Sequence, residues 1–154
     1  MAWDVSPEAL AVATANASTY SLEIEWSRKE ALQEEAWSDL SGLDLIISNP
    51  PYIAMGDPHL TRGDLRFEPQ QALVSGIDGL DAIRHIVDTA PAYLEPGAWL
   101  WLEHGADQGG RVAALLRQRG FGEVRSHRDL AGHDRHCGGR FDAPGPHPGR
   151  GSPP

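Results

Sequence analysis

The chain has 154 residues, a formal net charge of −9 and one cysteine. That length suits one domain, and the acidic balance argues against a strongly basic nucleic-acid-binding surface. No apolar run approaches the ~20 residues that span a bilayer, and no basic-then-apolar leader opens the chain, so the sequence reads as a cytoplasmic protein without membrane contact. Cys137 is alone and makes no internal disulfide, which fits a reducing compartment.

Met1-Ala2-Trp3-Asp4 reads as the end of a strand, because Ser6-Pro7-Glu8 at once supplies an N-cap, a proline at the first helical position and an acid in the first turn. The helix is expected to run to about Ser18, with Leu10, Ala13 and Ala17 on one face. Ser21-Leu22-Glu23-Ile24-Glu25-Trp26 alternates polar and apolar, as a half-buried edge strand does. Lys29 to Glu35 reads as a solvated helical surface.

Leu43, Leu45, Ile46 and Ile47 then form a nearly continuous apolar run, expected as a strand buried on both faces of a parallel sheet. Asn49-Pro50-Pro51-Tyr52 stops it. Proline lacks the N–H a ladder needs and holds the preceding residue extended, so Asn49 and Pro50 project from the strand's carboxyl end, where open α/β sheets bind ligands. Asn49 offers a side-chain acceptor and a donor, and Pro50 a carbonyl with no neighbouring N–H from Pro51. Two adjacent acceptors suit a planar NH2 group, and Tyr52 adds a face for stacking. With an activated methyl in line, proximity and orientation alone can remove about 7–11 kcal/mol from a barrier. The same four residues also suit a rigid strand-ending turn.

From Ile53 to Asp78 the sequence shows little periodicity and exceeds the ~12–15 residues that loops in compact domains usually reach, which points to a lid or docking surface. Arg62, Arg66 and Glu68 in it are expected to pair internally. Gly79 to Leu94 reads as a helix with Leu80, Ile83, Val87, Ala90 and Leu94 on one stripe, closed by a turn at Glu95-Pro96-Gly97. Ala98 to Leu102 is a second buried strand, with Glu103-His104-Gly105 at its carboxyl end as a brace for the acceptor loop. Asp107 is expected to cap the next helix, which buries Val112, Leu115 and Leu116 and ends at Gly120. Phe121 to Ser126 and Arg135 to Phe141 read as the last two strands. His133, His136 and Cys137 match no complete zinc pattern, so no metal is expected. Asp142 to Pro154 holds five prolines and three glycines without a large apolar residue, the composition of a disordered tail.

Asn49-Pro50-Pro51-Tyr52 after a buried strand resembles the acceptor motif of S-adenosylmethionine-dependent methyltransferases that modify planar NH2 groups. Asp57-Pro58-His59-Leu60, Arg66-Phe67-Glu68-Pro69, Ala72-Leu73-Val74, Asp78-Gly79-Leu80-Asp81 and Glu103-His104-Gly105 resemble the pattern of HemK/PrmC-type release factor glutamine methyltransferases. The resemblance runs from about Ala2 to Phe141. It implies an α/β, Rossmann-like class I methyltransferase fold with a mostly parallel sheet and an antiparallel final strand pair, over a catalytic domain of residues 1–141 and a tail of 142–154. It also implies S-adenosylmethionine as cofactor and peptide chain release factors as protein substrates, methylated on the glutamine of a Gly-Gly-Gln motif. No direct nucleic acid partner is implied.

By the same resemblance Asn49 and Pro50 are catalytic, Asn49 to Tyr52 bind substrate, and Asp4, Glu30 and Asn49 contact the cofactor. Asp4 matches the acid that holds the ribose hydroxyls. Glu30 stands where the family usually carries an acid beside the adenine, but Ala31 follows it and cannot stack. No G-x-G-x-x-G pattern occurs in the sequence, so the resemblance implies an amino-terminally truncated domain without the first strand and glycine-rich loop, and an impaired activity. Two alternatives stay open: a nucleic-acid (adenine) amino methyltransferase and a non-catalytic remnant.

Overall fold

The computed structural model describes residues 1–61, 69 and 72–142. Arg62, Arg66, Phe67, Glu68 and the tail from residue 143 onward lie outside the described residues, so the internal pairing expected at Arg62, Arg66 and Glu68 is not observed either way. The chain divides into two compact units, Met1–Asp39 and Leu40–Pro154.

In the first unit β1 (Ala2–Asp4) pairs in parallel with β2 (Trp26–Arg28), and α1 (Pro7–Thr19) crosses between them. The α1 start follows the sequence: Ser6 Oγ accepts from Ala9 N at 3.1 Å, and Pro7 occupies the first turn, where its missing N–H costs nothing. The strand expected over Ser21 to Trp26 begins only at Trp26. Ser21 has a positive φ of 55° and Leu22 N donates back to Ala17 O at 2.9 Å, so these residues close the helix before the chain can extend. Lys29 to Glu35 is not a solvated helix. A 3-10 turn at Glu34–Trp37 buries Ala36 and Trp37. The Trp37 indole donates to Ala31 O at 2.8 Å and meets Trp3 edge-to-face with ring centroids 5.4 Å apart.

The second unit is a four-stranded sheet in the order β3-β4-β6-β5, comprising β3 (Leu43–Ser48), β4 (Leu94–Glu103), β5 (Phe121–Arg128) and β6 (Asp134–Phe141). β3 and β4 run parallel, and β4-β6 and β5-β6 are antiparallel, as expected for the last pair. On β4 the residues alternate: Ala98, Leu100 and Leu102 are buried, while Trp99 and Trp101 are half-buried on the opposite face. The helices α2 (Asp81–Thr89) and α3 (Gly109–Gln118) contribute Ile83, Ile86, Val112 and Leu116 to the buried core. Each such side chain removed from water is worth about 1.5–3 kcal/mol.

Two expected boundaries move for identifiable reasons. The helix over Gly79 to Leu94 stops at Thr89, because Pro91 cannot donate and the chain tightens into a 3-10 turn at Ala90–Ala92 before entering β4 at Leu94. Asp107 is not the cap of α3. The residue before the helix is Gln108, which caps with no side-chain bond. The expectation for β3 also fails in one respect: it is an edge strand of its sheet, and Leu45 and Ile47 are 49% and 74% exposed. A continuous apolar run reports potential burial on two faces, but only a neighbouring layer realises it.

Candidate functional site

Asn49-Pro50-Pro51-Tyr52 leaves the carboxyl end of β3 beside Glu103 at the end of the parallel strand β4. Asn49 is exposed and Pro50 is buried. The Asn49 side-chain amide has no hydrogen-bond partner among the described residues. It lines two cavities at once. One, of about 870 Å³, is bordered by the whole acceptor loop together with Asp57, Asp78, Gln108 and Arg111. The other, of about 300 Å³, lies on the tryptophan-bearing face of the sheet against Trp101, Glu103, His127 and His136.

The loop behind Asn49 is tied at several points. Tyr52 Oη donates to Glu103 Oε1 at 3.0 Å, so the predicted brace exists and works through the carboxylate. Ile53 N donates to Leu73 O at 2.8 Å and Ser75 N to Ile53 O at 2.9 Å, forming a parallel bridge between Ile53 and Val74. Met55 N donates to Gly76 O at 2.8 Å. The stretch read as a lid is therefore pinned at both ends. Gly79 is required here. Its φ is +75°, and a Cβ on it would come within 2.4 Å of the Tyr52 carbonyl oxygen.

His104 is fully buried, with Nδ1 at 2.8 Å from Gly105 O; a carbonyl only accepts, so Nδ1 carries the proton. Its Nε2 is buried without a partner among the described residues, and it faces Gly109 at a spacing that leaves little room for a side chain there. His104 thus packs against the turn that leads into α3, and the brace on Tyr52 comes from Glu103 alone among the described residues of this pair. Asp78, on the cavity wall, is held by Arg84 at 2.5 Å and lies 3.6 Å from Arg111. The Arg84 hydrogen bond is the main reason its carboxyl is lowered to about 2, with burial acting the other way.

The two carboxylates implied as cofactor contacts belong to the first unit. Asp4 is exposed, and its Oδ1 accepts from Ser6 N at 2.8 Å, so it also anchors the start of α1. Glu30 is exposed and accepts from Gln33 Nε2 at 2.8 Å. No group of three or more His, Cys, Asp or Glu suited to a metal is found among the described residues.

No family model matches the chain. It is 51% identical over 143 residues to the release factor glutamine methyltransferase of Xylella fastidiosa, covering 91% of this chain and 50% of that protein. The corresponding Bordetella pertussis and Pseudomonas aeruginosa proteins are 47% and 48% identical over 143 and 130 residues, covering 90% and 83% of this chain and 50% and 46% of theirs. By sequence, the chain is similar to part of these release factor glutamine methyltransferases. It spans about half the length of the curated relatives it matches. Among solved structures it is similar to a methyltransferase from Pyrococcus furiosus, with a TM-score of 0.62 at 16% identity over 92% of this chain and 61% of that one. The N-methyltransferase NodS from Bradyrhizobium japonicum gives a TM-score of 0.55 at 18% identity, over 92% of this chain and 72% of that one. The fold is that of the class I methyltransferases, present in part.

Two residues around the site escaped the sequence reading, Gln108 and Ser75. Gln108 is 4% exposed. Its Oε1 accepts from Gly105 N at 2.8 Å and its Nε2 donates to Tyr52 O at 2.8 Å. The only sequence signal is a glutamine in a polar strand-to-helix turn, where an exposed residue is the ordinary expectation. Ser75 was missed in the same way: it is buried, and its Oγ accepts from Ala82 N at 2.7 Å, capping α2 in place of Leu80.

Proposed function

We propose that this chain carries the acceptor half of an S-adenosylmethionine-dependent protein methyltransferase, which methylates the glutamine side-chain amide of the Gly-Gly-Gln motif in peptide chain release factors. The observation that carries the proposal is Asn49. It ends a parallel strand, keeps its amide free of partners among the described residues and borders both cavities, in a chain about half identical to named release factor glutamine methyltransferases. A glutamine amide whose N–H groups are accepted by Asn49 Oδ1 and the Pro50 carbonyl is held with its nitrogen facing away from them. Tyr52, fixed by Glu103, gives that planar amide a surface to stack on. Bound S-adenosylmethionine would supply the methyl, its S–CH3 bond breaking and the thioether leaving as the N–C bond forms; with the amide held by Asn49, Pro50 and Tyr52, little help from a base would be needed and the amide proton would pass to water.

Asp4 fits a ribose diol in part, since only its Oδ1 is taken by Ser6 N. Glu30 offers the adenine edge an exposed carboxylate shared with Gln33. S-adenosylmethionine, when bound, supplies the electrophilic methyl. Because both carboxylates are exposed and the sequence holds no glycine-rich G-x-G-x-x-G loop, we infer that the 154-residue chain on its own is impaired. It binds the cofactor with a dissociation constant weaker than about 1 mM, less than ~4 kcal/mol of binding. Micromolar binding by isothermal titration would contradict this.

No helix among the described residues is long and apolar enough to cross a membrane. With the lone buried Cys137, the proposed setting is the cytoplasm, with release factors as partners and no direct nucleic acid or membrane contact. The test is labelling by tritiated cofactor, using the protein extended to the length of its relatives. A release factor should take up label while adenine-rich DNA and RNA do not. Comparable labelling of nucleic acid would replace this reading with that of an amino methyltransferase acting on bases, and no transfer to either would favour a non-catalytic remnant.

A further inference from the structure

We propose that Gln108 is a positioning residue for methyl transfer, a buried amide clamp that fixes where the acceptor loop presents Asn49 and Pro50. This rests on the function proposed above. Three chain segments meet at this one side chain. Its Oε1 takes the Gly105 N–H at 2.8 Å, which shapes the turn leaving β4, and its Nε2 gives one hydrogen to Tyr52 O at 2.8 Å. A longer contact of 3.5 Å runs from Nε2 to Gly79 O, in the turn that precedes α2. At 4% exposure the amide has no water to replace these partners, so each arm left empty costs more than the bond contributes.

The chemistry of the site explains why an amide stands here. Tyr52 O needs a donor and Gly105 N an acceptor, and an amide offers both without charge from two atoms on the same carbon. Gly79 has no side chain, which lets Tyr52 O come in this close; a Cβ there would lie 2.4 Å from Tyr52 O and 2.8 Å from Gln108 Nε2. The carbonyl that Gln108 holds is two peptide units beyond the Pro50 carbonyl, so its position sets the direction of the peptides that carry both acceptors. Glu103 holds the same Tyr52 by its phenol. Tyr52 is thus gripped at its ring and at its backbone, and Asn49, upstream, is left free to bind.

Two substitutions separate the arms. Gln108→Met keeps the shape and removes both hydrogen bonds. Gln108→Glu keeps the acceptor for Gly105 N–H but presents a second acceptor to Tyr52 O when ionised and a donor when protonated. Amide hydrogen exchange in the 154-residue chain reads the result at Ile53, Met55 and Gly105, with the β4 amides of Leu100 and Leu102 as reference. For Gln108→Met, exchange at Ile53, Met55 and Gly105 should accelerate about tenfold or more while the reference amides hold. For Gln108→Glu, Gly105 should keep its protection while Ile53 and Met55 lose theirs as pH rises and regain it as pH falls. In the protein extended to the length of its relatives, Gln108→Met should lower kcat about tenfold or more, with KM for S-adenosylmethionine little changed.

Wild-type exchange at all three amides in Gln108→Met overturns the clamp. If that variant loses protection everywhere, Gln108→Glu decides: protection factors at Ile53 and Met55, taken relative to intrinsic exchange at each pH, that do not change with pH overturn it. An unchanged kcat in a variant whose loop exchange has accelerated overturns the link to catalysis. Absence of methyl transfer in the wild type defeats the functional reading, and the exchange result still stands for the clamp.

Discussion

The acceptor loop and the two carboxylates of the first unit are built to different standards. Around Tyr52 the phenol, the backbone carbonyl and the amides of Ile53 and Met55 are engaged, by Glu103, Gln108, Leu73 and Gly76. The Asp4 and Glu30 carboxylates lie exposed and, among the described residues, bond to near neighbours in sequence, Ser6 and Gln33. A site whose geometry is fixed before the substrate arrives pays its ordering cost during folding, and exposed carboxylates on short local contacts pay it on binding. The proposed acceptor chemistry is therefore preorganised in this chain and the cofactor contact is not.

The sharpest way to break that contrast is to remove the Asn49 side-chain amide, which has no hydrogen-bond partner among the described residues. Asn49→Ala should cut methyl transfer by about 10²–10³ in the protein extended to the length of its relatives, with an unchanged melting temperature. Wild-type rates would remove Asn49 from the reaction. Next in size is Gly79→Ala, which adds strain at a positive φ and pushes on Tyr52 O. It should cost about 1–3 kcal/mol in denaturant melts, and a neutral result would mean the loop is not tightly held. Smaller again is Ile47→Thr. Ile47 is 74% exposed on the edge strand, so the change should stay within about 0.5 kcal/mol, against the ~2–5 kcal/mol of truncating buried Leu100 to Ala. A large loss at Ile47 would show that something covers it in solution.

The smallest effect concerns pH. Arg84 holds the Asp78 carboxyl at about 2, below its ordinary 3.8. A depressed carboxylate stabilises the fold above its unfolded value, and that contribution fades as pH falls from 3.8 toward about 2. Arg84→Leu should return Asp78 to the ordinary carboxylate range in a carboxyl NMR titration. No change on substitution would mean that another group sets it.

The acceptor loop was legible because its signals are local: a β-branched run, then Asn-Pro-Pro-Tyr, allow few geometries. The α1 cap was legible for the same reason, whereas the antiparallel pairing of the final strands was implied by the family resemblance. What the sequence concealed depends on distant partners. Ile47 and Leu45 look identical to buried strand residues until the sheet order makes β3 an edge. Pro91 ends α2 although the apolar stripe continues past it to Leu94, where β4 begins. Trp37 is drawn into a 3-10 turn by Trp3, more than thirty residues earlier. Gln108 carries no periodicity at all, and its role exists only because Tyr52 and Gly105 converge on it.

The loop at Asn49 is proposed to present a protein glutamine amide for methylation. Peptide mapping of a release factor, after incubation with labelled S-adenosylmethionine and the protein extended to the length of its relatives, tests it most directly. Label is expected on the side-chain nitrogen of the glutamine in the Gly-Gly-Gln loop, and none when that glutamine is replaced by glutamate. Label elsewhere on the factor, or label that survives the replacement, would contradict it.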